Sequence, residues 1–315
     1  MIKCFVKTPS RELLDTINHL VHEHKFTIEK GWKNGYHLIL RGRLPDELLP
    51  VINVQLNKGI QNSENEYVDE EFIQKYESIN HLLGGGKNFL SPIVKAKVTS
   101  EKVDHFFHNN LEDNLFIEVN NIFDRYFLDC YFKDNDLYKV IEEIWAFHTQ
   151  LQKYVEENSP NAYNCHLSHY IAFIHKLNDN DKEKIEYQFN KKFLKDKEHR
   201  RFDFKTISTK LTEELLEFYF RIRPLVKKRK LDFYMPHNRA YVDRKIKVAS
   251  SRHKMTFSKK NMEKHLYNDV LIVNRWVNNA LYTKMLLLNF NNLDRFYMNY
   301  LISRLIYPIS ELENY

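Results

Sequence analysis

Residues 36–45, Tyr-His-Leu-Ile-Leu-Arg-Gly-Arg-Leu-Pro, read as a strand running into a break. His37, Ile39, Arg41 and Arg43 fall on one side, and Leu38, Leu40 and Gly42 on the other. That period-two alternation is the pattern of a half-buried strand. Upstream, Ile2 to Lys7 has strand character. Thr8, Pro9 and Ser10 mark a helix N-terminus, and Leu13, Ile17, Leu20 and Val21 then recur at helical spacing. Downstream, Pro45 opens a helix carrying Leu48, Leu49 and Ile52. The chain therefore begins β-α-β.

Further along, residues 58–66 read as an exposed loop, and Ile93 to Val98 as another strand. Gly84, Gly85 and Gly86 lie in no GxGxxG or GKS/T context, so they predict a flexible turn rather than a phosphate cradle. From about residue 100 helical patterns dominate: 100–111, 136–157, 164–177, 180–197, 209–222, 258–288 and 291–306. The expected fold is α+β, an N-terminal β-α-β lobe over 1–98 packed on a larger, mainly helical lobe over 99–315.

Composition agrees with a globular protein of long helices. The chain has 315 residues, 43% hydrophobic, with only 7 Gly and 8 Pro but 19 Tyr and 22 Phe. The aromatics point first to core packing. Cys4, Cys130 and Cys165 show no CxxC spacing, which argues against a disulfide framework or a thiolate metal site and fits a reducing cytosol. The N-terminus lacks the apolar stretch of a signal peptide, and no apolar run is long enough to span a membrane. The net charge of +6 conceals a polarity: residues 191–260 carry 22 Lys and Arg against 8 Asp and Glu, leaving the remainder acidic. Such a block suits an acidic partner surface, or is a solvated helical face.

Candidate chemistry lies in a few places. Arg41 and Arg43, with His37 beside them, can bind a carboxylate or carbonyl through the guanidinium fork. Val270, Val273, Val277, Leu281, Lys284 and Leu288 share one helical stripe, so Lys284 interrupts an apolar face. It either snorkels to water or forms a pocket floor that donates a proton or binds an oxyanion. Tyr282 is near in sequence but points elsewhere on a regular helix. His166 and His169 read as core or surface histidines, and without HExxH or a third ligand no metal is expected. Arg252 and His253 sit in a basic stretch, 243–262, that could face substrate, with His253 able to act as acid or base near neutral pH. No nucleophile motif surrounds Ser250 or Ser251.

Three segments, in order, resemble the glutamate-elimination domain of class I lanthipeptide dehydratases, which thiopeptide enzymes share. They are 36–45, the stretch YVDEEFIQKY at 67–76, and LYTKMLLLNFNNLDR at 281–295. In the first, Arg41 keeps the second arginine of the pattern, and Ile39 replaces the first. In the second, Tyr67, Glu71 and Tyr76 fit, and Lys75 stands for arginine. In the third, Lys284-Met285 takes the place of a His-Met pair, so the eliminase histidine is missing. The segment at 164–175 is similar to a Ser-His-containing helix of the family. Standalone members without the elimination residues resemble thiopeptide pyridine synthases, here of the micrococcin/thiocillin type.

The resemblance implies a cofactor-independent cyclase. Its substrate would be a leader-bearing precursor peptide containing thiazoles and two dehydroalanines, and it would work alongside other tailoring enzymes. A formal [4+2] aza-cycloaddition would close the ring, with loss of water and expulsion of the leader. Arg41 and Lys284 are catalytic candidates from the motif match; Tyr282 and His253 are candidates from residue chemistry. His37, Arg43, Tyr67, Lys75 and Arg252 are substrate-binding candidates. The basic block is the expected leader site. Two other readings stand beside this one. One is a split-dehydratase eliminase using Lys284. The other is a non-catalytic peptide- or RNA-binding protein, although no RRM, KH or GxxG signature favours nucleic acid.

Overall fold

Ser10 starts the first helix as its sequence predicts, its hydroxyl accepting from the Leu13 amide at 3.2 Å. The structure is a computed structural model that describes residues 1–6, 8–31, 37–42, 45–61, 97–101, 110–131, 136–157, 161–199, 209–235, 247, 254, 258, 265–288 and 290–308. The chain divides into two compact units, Met1–Asp134 with Leu286–Leu288, and Asn135–Met285 with Asn289–Tyr315.

The first unit is a small sheet with helices. In order come β1 (Ile2–Phe5), α1 (Arg11–His24), β2 (Thr27–Gly31), β3 (His37–Arg41), α2 (Leu48–Gln61), β4 (Lys97–Ser100) and α3 (Asn110–Tyr131). The strand order is β2-β3-β1-β4, every neighbouring pair antiparallel. Cys4 lies opposite Leu38 and Ile2 opposite Leu40, and these four join Leu13, Ile17, Leu20, Phe26 and Leu56 in the core. Each such side chain removed from water contributes about 1.5–3 kcal/mol. The expected α+β class is what the structure has, and of the two faces of β3 the one with Leu38 and Leu40 joins the core.

Four details differ from the sequence reading. β2 is an additional strand. β4 runs through Ser100, where a helix was expected to begin; residues 91–96 lie outside the described residues. Of the loop expected over 58–66, residues 58–61 are helical, because α2 continues to Gln61, and the rest lies outside the described residues. Gly59 explains this: a Cβ there would lie 2.8 Å from Leu13 Cα, so glycine lets α1 and α2 touch, and Ser10 Oγ donates to Gly59 O at 2.7 Å. Finally, α3 carries buried polar residues that disguise its apolar stripe. Asn121 Nδ2 donates to Val21 O and Phe26 O, and Asp124 Oδ2 accepts from the Ile28 amide at 3.1 Å. These side chains satisfy backbone groups where α1 ends and β2 begins, which buried peptide groups require.

The second unit is helical: α4 (Leu137–Leu151), a 3-10 turn at Gln152–Tyr154, α5 (Asn164–Ile174), α6 (Asp179–His199), α7 (Lys210–Lys227), α8 (Asp269–Met285) and α9 (Asn292–Ile306). α9 packs on α5, α4 on α7, and α8 on α7. α7 runs past the expected end at residue 222, through Pro224. α8 begins at Asp269, not near 258, because Asn268 caps it: Oδ1 accepts from the Leu271 amide at 2.9 Å. Asp269 is then held by Tyr219 Oη at 3.2 Å and Arg223 Nε at 3.1 Å, which ties α8 to α7.

Candidate active site

α8 is buried along more than one face, and its two stripes differ in chemistry. Val270, Val273, Val277 and Leu281 form the apolar stripe, continued by Lys284. Asn274, Asn278 and Tyr282 recur at every fourth position beside it. The second stripe meets histidines from α4 and α5.

His166, fully buried on α5, donates from Nδ1 to Asn299 Oδ1 at 2.7 Å. The Asn299 amide is oriented by its Nδ2, which donates to Arg295 O at 2.9 Å within α9. The same Oδ1 accepts from the Tyr282 hydroxyl at 2.9 Å. Tyr282 also makes a short hydrogen bond with His169 Nδ1, one turn after His166. The His169 ring meets the Tyr282 ring edge-on at 5.0 Å, and the Arg295 guanidinium lies 5.1 Å from the Tyr282 ring centroid. On the other side of His166, its Nε2 is 3.4 Å from Nδ1 of buried His148. His148 in turn touches Ile144 O at 2.8 Å and Asn274 Oδ1 at 3.1 Å. The result is a continuous chain, buried at His148, His166 and Asn299 and partly buried at Tyr282 and His169.

Burial controls the protonation of this chain. It pushes the His166 imidazole down to about 4, only partly offset by the bond to Asn299, so the ring is neutral near pH 7. Burial, then the neighbouring His166, holds His148 well below the usual histidine range. The Tyr282 hydroxyl is pushed up, first by burial and then by the nearby Cys165, against the opposing Asn299 bond and Arg295 charge. It is a phenol that stays protonated, with its one proton directed at Asn299 Oδ1, so in the short bond to His169 the Nδ1–H donates to the hydroxyl oxygen.

Lys284 is fully buried, so its stem does not carry the ammonium out to water, and the snorkelling reading is set aside. Tyr282 and Lys284 occupy different stripes of α8, as helical geometry predicts. In the first unit, Arg41 pairs with Glu29 across the sheet, Nη2 to Oε2 at 3.2 Å, and Nη1 approaches Met1 Sδ at 3.5 Å. His37 is buried, its ring 4.7 Å from that of Phe5 and laid over Gly31, where a Cβ would come within 2.3 Å of Nε2. Arg43, Tyr67, Lys75, Arg252 and His253 lie outside the described residues.

The sequence reading missed Asn274, Asn299, Arg295 and His148, and left His166 and His169 as ordinary histidines. One available signal was the spacing of Asn274, Asn278 and Tyr282, which marks a polar stripe on a helix that is otherwise apolar. A group that could hold a metal is also present: one donor atom each from His148, Cys165 and His166 lies within 4.8 Å of the others.

A small antiparallel sheet with helices, followed by a helical unit, is a fold that this chain shares with a thiopeptide pyridine synthase. The solved structure of pyridine synthase TbtD, from thiomuracin biosynthesis, superimposes with a TM-score of 0.66 over 96% of this chain and 95% of that one, at 11% identity. No protein-family model matches the sequence, and no curated protein matches it. Among the described residues, no helix is long and apolar enough to cross a membrane.

Proposed function

We propose that this chain is an enzyme of ribosomal-peptide tailoring that builds a pyridine from two dehydroalanines. The observation that carries the reading is the extent of the fold likeness, which takes in nearly the whole of both chains. The missing eliminase histidine at Lys284 favours it over glutamate elimination.

The reaction needs positioning and proton movement. Tautomerising one backbone amide moves its N–H proton to the carbonyl oxygen and gives a 2-azadiene. Cycloaddition with the second dehydroalanine forms two C–C bonds, one at the former carbonyl carbon and one at the terminal alkene carbon, while the amide nitrogen keeps both its bonds and becomes the ring nitrogen. The carbinol oxygen then leaves as water. A final C–N cleavage expels the leader, its amide nitrogen taking up a proton to become a carboxamide. Holding two alkenes in attack geometry is largely entropic work. The proton steps suit Tyr282 as acid, with His169 Nδ1–H placed to resupply the proton it gives up, and Asn299 fixing the hydroxyl. Lys284 is the candidate for a cation opposite the departing oxygen, and Arg41 and His253 remain candidates for substrate carbonyls and proton transfer. His37, Arg43, Tyr67, Lys75 and Arg252 are proposed substrate contacts.

The leader is proposed to bind the basic region. Lys191, Lys195 and Lys197 on α6 and Lys227, Lys228, Arg229 and Lys230 at the end of α7 are exposed. Affinity for an acidic leader is expected to fall as salt rises and the Debye length shrinks. The test is conversion of a leader-bearing, thiazole-containing bis-dehydroalanine peptide. Release of leader carboxamide supports the reading. Loss of glutamate from a glutamylated peptide instead makes the chain an eliminase, and binding without turnover makes it a peptide-binding protein.

A further inference from the structure

The three protons carried by His148, His166 and Cys165 do not fill the contacts around them. His166 spends its proton on Asn299, whose amide is fixed in the accepting orientation, so Nε2 is a bare lone pair. His148 has an oxygen at each nitrogen: Ile144 O at 2.8 Å from Nδ1, and Asn274 Oδ1 at 3.1 Å from Nε2. A proton on Nε2 would leave Nδ1 facing both Ile144 O and the bare His166 Nε2, 3.4 Å away. The proton therefore sits on Nδ1. His148 Nε2 is then a lone pair aimed at a second lone pair, because Asn274 is also fixed, its Nδ2 donating to Ala162 O at 2.9 Å. Cys165 Sγ lies on that same side, 3.6 Å from His148 Nε2 and 3.4 Å from Ala162 O, so its one S–H proton serves one of these two acceptors. His148 is fully buried, so a charged imidazolium there would be stripped of water. A further acceptor waits nearby: Asn278 is fully buried and reaches Cys165, yet its Oδ1 has no hydrogen-bond partner among the described residues. Several electron pairs thus converge on one buried spot with no positive group among them.

We propose that this spot is a cation site for a single zinc-type ion, bound by His148, Cys165 as thiolate, and His166, with the Asn274 carbonyl as fourth donor. The donor set is mixed nitrogen and sulfur, which suits zinc rather than magnesium or calcium. Zinc bonds of about 2.0–2.3 Å place tetrahedral donors roughly 3.3–3.8 Å apart. The Sγ–Nε2 separation of 3.6 Å already satisfies that, and the widest spacing of 4.8 Å closes with side-chain shifts of about 1 Å. The outer shell is also in place. Each imidazole gives its other N–H to a fixed oxygen, Ile144 O or Asn299 Oδ1, which is how metal-binding histidines are oriented. Binding converts Cys165 S–H to thiolate and releases one proton. The ion clips α4 to α5 and α8. Through His166 and Asn299 it also stiffens the hold on the Tyr282 hydroxyl, a consequence that rests on the proposed function; the site itself does not.

The experiment uses the full chain, stripped with a chelator and titrated with zinc alone, then with cobalt(II) as a spectroscopic reporter. The expected result is one equivalent of either ion, about one proton released per ion in weak buffer, and a thiolate-to-cobalt absorption band. Cys165→Ser should lose that band and bind zinc at least tenfold more weakly, while unchanged circular dichroism shows that it folds. No stoichiometric uptake by the wild-type chain overturns the site. So does a thiolate–cobalt band that survives in folded Cys165→Ser. Neither readout involves peptide turnover, so failure here and failure of the proposed reaction are distinguishable.

Discussion

Tyr282 is the residue proposed to move protons, and its environment makes definite predictions. Tyr282→Phe removes the hydroxyl that donates to Asn299 and accepts from His169 while leaving the ring against Arg295. Turnover is expected to fall by about 10²–10⁴, the usual worth of a general acid, with peptide affinity unchanged within about twofold. A parallel loss of affinity would make Tyr282 a binding residue instead. His166 gives the pH dependence. Its folded value of about 4 lies below its ordinary value of 6.5, so the unfolded state binds more protons between those pH values. Stability is therefore fully present above pH 6.5 and falls as pH drops toward 4, by about 3 kcal/mol at 1.36 kcal/mol per unit. Urea unfolding at pH 7, 6 and 5, with chelator present, reads this slope; a flat profile would contradict it.

At the scale of elements, two substitutions test how the first unit is held. Gly59→Ala places a methyl 2.8 Å from Leu13 Cα, a backbone atom that cannot move aside without separating α1 from α2. The expected cost is about 1–3 kcal/mol, read as a lower urea midpoint at unchanged slope. Asn121→Leu strips the donor from Val21 O and Phe26 O, and buried carbonyls left this way cost about 1–3 kcal/mol. The same pair shows why the sequence was only partly legible. β1, α1 and β3 were readable because Cys4, Leu13, Ile17, Leu38 and Leu40 obey simple periods and Ser10 is a local cap. α3 was not, because Asn121 and Asp124 are buried for the sake of backbone groups about a hundred residues away. Gly59 looked like a loop signal, but it marks a helix crossing. The hydrogen-bonded chain was half legible: Tyr282 and Lys284 stand out on α8, whereas His148 and Asn299 acquire meaning only when α4, α5, α8 and α9 assemble.

For the whole molecule, the central claim is that a fold shared with a pyridine synthase carries the same kind of reaction at 11% identity. Little of that was accessible to sequence comparison, since packing conserves shape while the side chains filling it change. The exposed basic residues of α6 and α7 add a prediction at this scale. Leader affinity measured between 50 and 300 mM salt should drop steeply, and a salt-independent affinity would place the leader elsewhere. The most direct measurement is the mass spectrum of a leader-bearing, thiazole-containing bis-dehydroalanine peptide after incubation with the purified protein. The account predicts a cyclic product lacking one water and the leader, beside an intact leader carboxamide, with Tyr282→Phe forming far less of both. A peptide bound but returned unchanged would contradict it, as would a glutamylated peptide losing glutamate in its place.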